Sequence, residues 1–401
     1  MTNGKIIMLL NSITPGLSGG DRIFIEFAKR WVNHFDEVYI ATCDTGVETC
    51  KKYNLKSNNL FYIKFSTDNY KKQNLFFIYF KRTLNALRYF KKNIKENIEP
   101  VEFIYSSSDF WPDSVPAFYY KVKNKETKWI AGFYLFAPKP WQKDSPYKAN
   151  IKRWFIGLAY WLSQLPIYYI IKHHADYVFV TSEPDVKKFV TKKRDKSKII
   201  VIQGGVDITE SEKYFKENNV IQVKERLYDA CFVGRFHYQK GVLELINIWN
   251  NVCKLKNTAK LAMIGVGALE NEVRQKIKDL KLENNVNLLG FMDGKDKYDI
   301  FKQSKVIVHP ATYDSGGMAA AEGMAWGLPG VSFDLEALKT YYPKGMIKTK
   351  IGDKEEFAKN IIRLLDDKVL YEKTSSDAHN LIIEVWDWDK RAYNILNLIN
   401  T

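Results

Sequence analysis

Short runs of apolar residues recur along the chain, separated by stretches in which apolar positions return every three or four residues. The runs Ile6–Leu10, Val38–Ala41, Phe103–Ser106, Tyr177–Thr181 and Ile199–Ile202 mark the first half. Ala230–Val233, Leu261–Ile264, Val286–Leu288 and Val306–His309 mark the second. Continuous β-branched runs between helical stretches predict strands buried on both faces, hence βαβ units and parallel sheets. The pattern breaks after Gly205-Val206-Asp207, where a polar, charged segment from Ile208 to Tyr228 precedes a fresh strand. The expected fold class is α/β, with two Rossmann-like, doubly wound domains facing across a cleft. Residues 1–207 form the first domain and residues 208–385 the second. The C-terminal stretch from Glu372 to Thr401 is helical in pattern, and residues 386–401 are a terminal helix. Ligands of such sheets bind beyond the carboxyl ends of the strands.

A length of 401 residues fits two domains, and 46% hydrophobic residues suffice for their cores. Four scattered cysteines, with no CxxC spacing and no His pair at metal-ligating spacing, read as thiols in a reducing compartment. The apolar run Ile6–Leu10 is too short for a signal peptide and leads into a glycine-rich loop, so it is a first strand. The formal charge is +15, which suits nucleic acid, an anionic membrane or a phosphorylated substrate. No zinc-finger, RNA-recognition or basic-zipper spacing is present, so nucleic acid is not the expected partner.

Four loops at strand ends carry candidate chemistry. The first, Thr14-Pro15-Gly16-Leu17-Ser18-Gly19-Gly20-Asp21-Arg22, opens a helix but is neither GxGxxG nor a Walker A loop. The second is Val233-Gly234-Arg235-Phe236-His237-Tyr238-Gln239-Lys240-Gly241, whose Arg235 and Lys240 would point two cations at one spot. The third ends Met263-Ile264-Gly265-Val266-Gly267. The fourth places Asp314 and Glu322 eight residues apart around Ser315-Gly316-Gly317-Met318. A glycine-rich helix start presents backbone N–H groups and a positive dipole end to an anion. Two acids beside an anion site suit a ligand that is part phosphate and part polyol.

In this order, with Leu289-Gly290-Phe291 and the run Met324-Ala325-Trp326-Gly327-Leu328-Pro329, the motifs resemble the retaining family 4 glycosyltransferases of GT-B fold. Ala175–Glu183 resembles the end of their first domain, Gly205-Val206-Asp207 their interdomain crossing, and the Trp388 region the helix that returns to the first domain. The resemblance implies that Arg235 and Lys240 hold the donor diphosphate, that Glu322 bonds the ribose hydroxyls and that Asp314 meets the transferred hexose. It also implies donor contacts from Ser315, Gly316, Gly317 and Met318, from Gly234 and Gly265, and from Gly19 and Gly20 beside the diphosphate. Gly290 and Phe291 would edge the base. The family usually has Glu at the first acid position, where this chain has Asp314, and often a His near Trp129–Phe133, where this chain has none.

The implied reaction is a retaining front-face hexosyl transfer from a UDP- or GDP-linked sugar to a glycan or lipid-linked acceptor in cell-surface glycan or glycolipid synthesis. The departing phosphate helps deprotonate the acceptor hydroxyl. No cofactor is expected beyond the nucleotide-sugar co-substrate. No Asp-x-Asp stands on a suitable loop, so no metal is expected either. A catalytically weakened binding or scaffold protein of the same fold is the alternative.

Two segments bear on location. Asn74–Lys95 has helical period, with Lys81, Asn85, Arg88, Lys92 and Lys95 on one face and Phe77, Phe80, Leu84, Leu87 and Ile94 on another. It suits either an anionic bilayer or packing of the apolar face into the domain. Trp154–Ile171 is eighteen uncharged residues between basic flanks. Ser163, Gln164 and Pro166 favour a buried or interfacial helix over a membrane span. The expected location is the cytoplasm, peripheral at the inner face of the membrane.

Overall fold

A computed structural model of the chain describes residues 4–14, 17–65, 75–93, 101–142, 145–148, 150–202, 204–217, 220–314 and 316–400. The chain divides into two compact units, Met1–Ile202 with Trp388–Thr401, and Gln203–Asp387.

The first unit runs β1 (Lys5–Leu10), α1 (Gly19–Trp31), β2 (Glu37–Thr42), α2 (Asp44–Lys52), β3 (Leu60–Lys64), α3 (Leu75–Asn93), β4 (Phe103–Ser106), α4 (Trp111–Lys123), β5 (Lys128–Gly132), α5 (Ile151–His174), β6 (Tyr177–Val180), α6 (Glu183–Phe189) and β7 (Ile199–Val201). Its seven strands are all parallel, in the order β3-β2-β1-β4-β5-β6-β7. Helices cover both faces, which is why Ile6 to Leu10 can be apolar without alternation and all are buried. Ser18 starts α1 with a capping box: its hydroxyl accepts from Asp21 N at 3.2 Å, and its own N–H donates to the Asp21 carboxylate at 2.8 Å.

The second unit runs α7 (Thr209–Lys216), β8 (Tyr228–Val233), α8 (Val242–Leu255), β9 (Leu261–Ile264), α9 (Glu270–Asp279), β10 (Val286–Gly290), α10 (Lys295–Lys302), β11 (Ser304–His309), α11 (Met318–Ala325), β12 (Gly330–Phe333), α12 (Glu336–Tyr341), β13 (Met346–Thr349), α13 (Lys354–Asp366) and α14 (Lys368–Val385). Its sheet is also parallel, β10-β9-β8-β11-β12-β13. One face of it packs Phe232, Trp249 and Phe357, and the other packs Ile307, Met324 and Tyr342. The polar segment after Asp207 is not a bare linker. It forms α7, and Tyr214 on that helix is buried against the ring of Trp326.

The C-terminal helical stretch divides into two helices. α14 ends before Trp386-Asp387, and α15 (Trp388–Asn400) belongs to the first unit. There Trp388 sits edge-on to Phe27, and the Trp31 indole donates to the Ala392 carbonyl at 3.1 Å.

The structure decides which face of α3 packs into the unit. The buried positions are Ile78, Arg82, Thr83, Ala86 and Phe90, whereas Phe77 and Phe80 face outward. Arg82 turns inward because the Asn11 and Ile13 carbonyls need a donor, and it supplies one to each at 2.7 Å. Asn74, Ile94 and Lys95 lie outside the described residues.

Candidate active site at the strand ends of the second unit

β8 lies between β9 and β11, so the strand order reverses there. Loops that leave the carboxyl ends of strands at such a point diverge to opposite faces and leave a crevice. The loop after β8 carries Gly234, Arg235 and Lys240, and the loop after β11 carries Asp314, Gly316 and Gly317.

These loops are joined by backbone and side-chain bonds. The Gln239 carbonyl accepts from Thr312 N and Tyr313 N at 3.1 and 3.3 Å. Gly241 has φ +63°, and a Cβ there would come within 1.9 Å of the Pro310 carbonyl oxygen, so the close approach requires glycine. The Lys240 ammonium donates to Asp314 Oδ2 at 2.5 Å. His309 Nε2 stands 3.1 Å from the same oxygen. Burial alone would push the Asp314 carboxyl up, but Lys240 and the His309 ring outweigh it and hold it well below the usual carboxylate range. Arg235 is exposed, with no ion pair or side-chain hydrogen bond among the described residues. The two cations of this loop are thus in different states: Lys240 is already engaged, and Arg235 is open to solvent.

Gly317 is the N-cap of α11 and adopts φ +63°. The first N–H groups of a helix lack intrahelical partners and can face an anion. The two glycines also have packing reasons to be glycine. A Cβ on Gly316 would meet the Tyr341 ring at 2.3 Å, and one on Gly317 would meet His309 Nε2 at 2.9 Å. The Gly317 carbonyl accepts from the Tyr342 hydroxyl at 2.7 Å. The Met318 side chain lies against Gly204, where an added Cβ would fall 1.8 Å from its sulfur. Met318 therefore has its backbone N–H, not its thioether, to offer a ligand. Ser315 lies outside the described residues.

Glu322 sits on α11 as the spacing predicts, and it has a partner that the sequence did not reveal. Lys297 on α10 donates to Glu322 Oε2 at 2.8 Å and to Asp293 Oδ1 at 3.0 Å. Burial would lower the Lys297 pKa, but the two carboxylates outweigh it and raise it above its ordinary value. Lys297 is 25 residues from Glu322 and on another helix, so no local spacing points to it. Gly234, Gly265 and Gly290 bring the ends of β8, β9 and β10 close together. A Cβ on Gly265 would meet the Gly234 carbonyl oxygen at 1.9 Å, and Gly265 N donates to the Gly290 carbonyl at 2.7 Å. Gly290 itself has open space around it, and the Phe291 ring beside it is exposed.

The first unit has a polar cluster at its own strand-order reversal, beyond β1 and β4, which sequence reading missed. Asp113 accepts from Asn11 N at 2.6 Å, from Ser12 N at 3.0 Å, and from the hydroxyls of Ser12, Ser107 and Ser108 at 2.6, 3.0 and 2.5 Å. Asp109 is buried and accepts from Gln164 Nε2 at 2.7 Å. Burial, only partly offset by that bond, pushes its pKa up to about 6. Gly19 and Gly20 open α1 nearby in sequence, and a Cβ on Gly20 would touch the Tyr134 ring at 3.0 Å.

Comparison with known proteins decides the class of the second unit. Residues 213–381 match the family model of glycosyl transferases group 1. This segment is similar to the group 1 glycosyltransferases. An uncharacterized glycosyltransferase of Methanocaldococcus jannaschii is 28% identical over 191 residues, covering 46% of this chain and 47% of that protein. The chain spans about half the length of the curated relatives it matches. Sucrose-phosphate synthase of Thermosynechococcus elongatus has a TM-score of 0.76 at 16% identity, over 99% of this chain and 98% of that one. TarM of S. aureus, solved with fondaparinux, alpha-GlcNAc-glycerol and UDP, has a TM-score of 0.72 at 14% identity, over 99% and 100%. The two parallel-sheet units have the GT-B fold, and the matched segment contains Arg235, Lys240, Asp314 and Glu322.

Proposed function

We propose that this chain is a retaining hexosyltransferase. It moves a hexose from a nucleoside-diphosphate sugar to a hydroxyl of a glycan or lipid-linked acceptor in cell-surface glycan or glycolipid synthesis, at the cytoplasmic face of a membrane. The observation that carries the reading is the joining of the β8 and β11 loops, which sets Lys240 and Asp314 beside the glycine start of α11. Arg235 and Lys240, with the first N–H groups of α11, bind the diphosphate. Asp314 meets the hexose, and Glu322, held on one oxygen by Lys297, bonds the ribose hydroxyls. UDP in the TarM structure favours UDP over GDP as the base carrier.

In the reaction the acceptor oxygen bonds to the anomeric carbon as the bond from that carbon to the phosphate oxygen breaks. The acceptor proton passes to the departing phosphate. Charge grows on the diphosphate, and preorganised cations and backbone donors stabilise it more in the transition state than in the ground state. These residues supply that stabilisation without a metal ion.

The test is a thermal-shift titration with UDP, GDP and their sugars, followed by donor hydrolysis. A ligand that binds the native state raises the melting temperature. A rise with one nucleotide series, abolished when Arg235 and Lys240 are replaced by Ala, supports the reading. No shift with any nucleotide, from a protein that melts cooperatively, overturns it.

A further inference from the structure

Two helices of the first unit contain no acid. α3 has 19 residues and α5 has 24, and neither includes an Asp or Glu, although the whole chain has 46. Lys81, Arg88, Lys91 and Lys92 on α3 are exposed, and Lys152 and Arg153 stand at the start of α5. The same helices expose large apolar side chains. Phe76, Phe77 and Phe80 on α3 are 59%, 65% and 48% accessible, and Phe155, Ile156 and Leu162 on α5 are 58%, 53% and 51%. The two exposed stripes meet at Trp111: its ring packs edge-on against Phe76, and its indole N–H donates to the Ser163 carbonyl on α5 at 2.8 Å. Monomeric proteins rarely leave contiguous apolar patches of this kind uncovered.

We propose that this face of α3 and α5 docks on an anionic bilayer. The Phe, Ile and Leu side chains enter the acyl boundary while the cations meet lipid phosphates, as on interfacial basic helices. Charge selects the occupant. A second copy of the same face would set like charges against each other, whereas acidic lipid neutralises them. α5 is long and apolar enough to cross a membrane, and only 22% of its most apolar stretch is buried. One of its sides is nevertheless fixed in the unit. Gln164 is buried, accepts from Ala137 N, and donates to the Leu135 carbonyl and to Asp109. Crossing the bilayer would strip those bonds, so α5 lies along the surface. The inference rests on the glycosyltransferase reading only for what the docked protein does; lipid binding is measured separately from donor binding.

The experiment is sedimentation of the full chain with phosphatidylcholine vesicles, with and without phosphatidylglycerol, at low and high salt. Binding to the anionic vesicles that weakens with salt is expected. The variant Phe76→Ser/Phe77→Ser/Phe80→Ser should lower the partition at least ~tenfold, and so should Lys81→Gln/Arg88→Gln/Lys92→Gln. Phe155→Ser/Ile156→Ser tests the α5 half independently. Each variant is checked for an unchanged melting temperature and an unchanged shift with UDP, which separates loss of docking from loss of the fold or of the donor site. Equal sedimentation with neutral and anionic vesicles, or binding indifferent to all three variants, overturns the proposal. So does a concentration-dependent dimer that the triple Phe variant abolishes, because the face would then be covered by a second copy.

Discussion

The Lys240 ammonium lies 2.5 Å from the Asp314 carboxylate across 74 residues of chain, and both side chains are largely withdrawn from water, at 26% and 8% accessibility. Such a pair has weak net stability value when intact, but removing one partner leaves an uncompensated charge. Asp314→Asn should therefore lower stability at pH 7 by ~1–3 kcal/mol in urea unfolding. The pH dependence has a definite sign. The folded Asp314 carboxyl is held below its unfolded value, so its stabilisation is full above about pH 5 and fades as pH falls through about 4 and below. The gap between wild type and Asp314→Asn should narrow across that window. A constant gap from pH 7 to pH 3 would refute the ion-pair account.

Glu322 and Lys297 make a second pair with a different expected signature. Glu322→Ala should reduce turnover at least ~tenfold, because a contact that orients the donor is lost. The fold should survive, since Asp293 still pairs with Lys297. Lys297→Met leaves the Glu322 carboxylate in place but unoriented. Its effect should fall mainly on the donor KM, with kcat changed less. Steady-state kinetics on both variants checks this, and near-normal turnover of Glu322→Ala would sink the assignment.

Asp109 makes the opposite pH prediction from Asp314. Its folded pKa is raised to about 6, so the folded state binds a proton more tightly than the unfolded chain. Its contribution to stability therefore falls as pH rises from about 4 through 6 and is flat above. Asn keeps an oxygen for Gln164 and has no charge to bury. Asp109→Asn should raise stability at pH 7 by ~1–2 kcal/mol, with little effect near pH 4. Thermal melts at the two pH values give the comparison.

Gly317 and Gly290 separate backbone strain from crowding. Both have positive φ, +63° and +72°, but a Cβ at Gly317 would crowd His309 whereas one at Gly290 meets nothing within 4 Å. Gly290→Ala should cost ~1 kcal/mol from backbone conformation alone. Gly317→Ala should cost ~2–3 kcal/mol and also lower turnover, since it moves the start of α11. Equal costs in denaturant unfolding would refute the steric distinction.

The strands that carry the site were legible because burial on both faces leaves an unbroken apolar run, as in Val306–Val308, and such runs need no knowledge of distant residues. Asp314 and Glu322 were legible for a similar reason: a loop and the helix after it fix their spacing within one stretch of chain. In α3 the periodicity shows that two faces exist but not which one faces the core. Arg82 is buried there, and Phe77 is not, because carbonyls of the β1 loop require a donor at that position. The polar cluster around Asp113 was invisible for want of local pattern, since Ser12 and Ser107 are ordinary loop residues until two strand ends converge.

By itself the sequence determined the α/β class, the alternation of strand and helix, the glycine-rich turns and the residue types available for an anion and a polyol. These follow from local sterics, hydrogen bonding and burial, whose range is a few residues. The tertiary structure alone decided the partners: Lys240 with Asp314, Lys297 with Glu322, Gln164 with Asp109. Each pair is brought together by strand order and helix packing, so its electrostatics exist only once the chain has closed distances that no local spacing encodes.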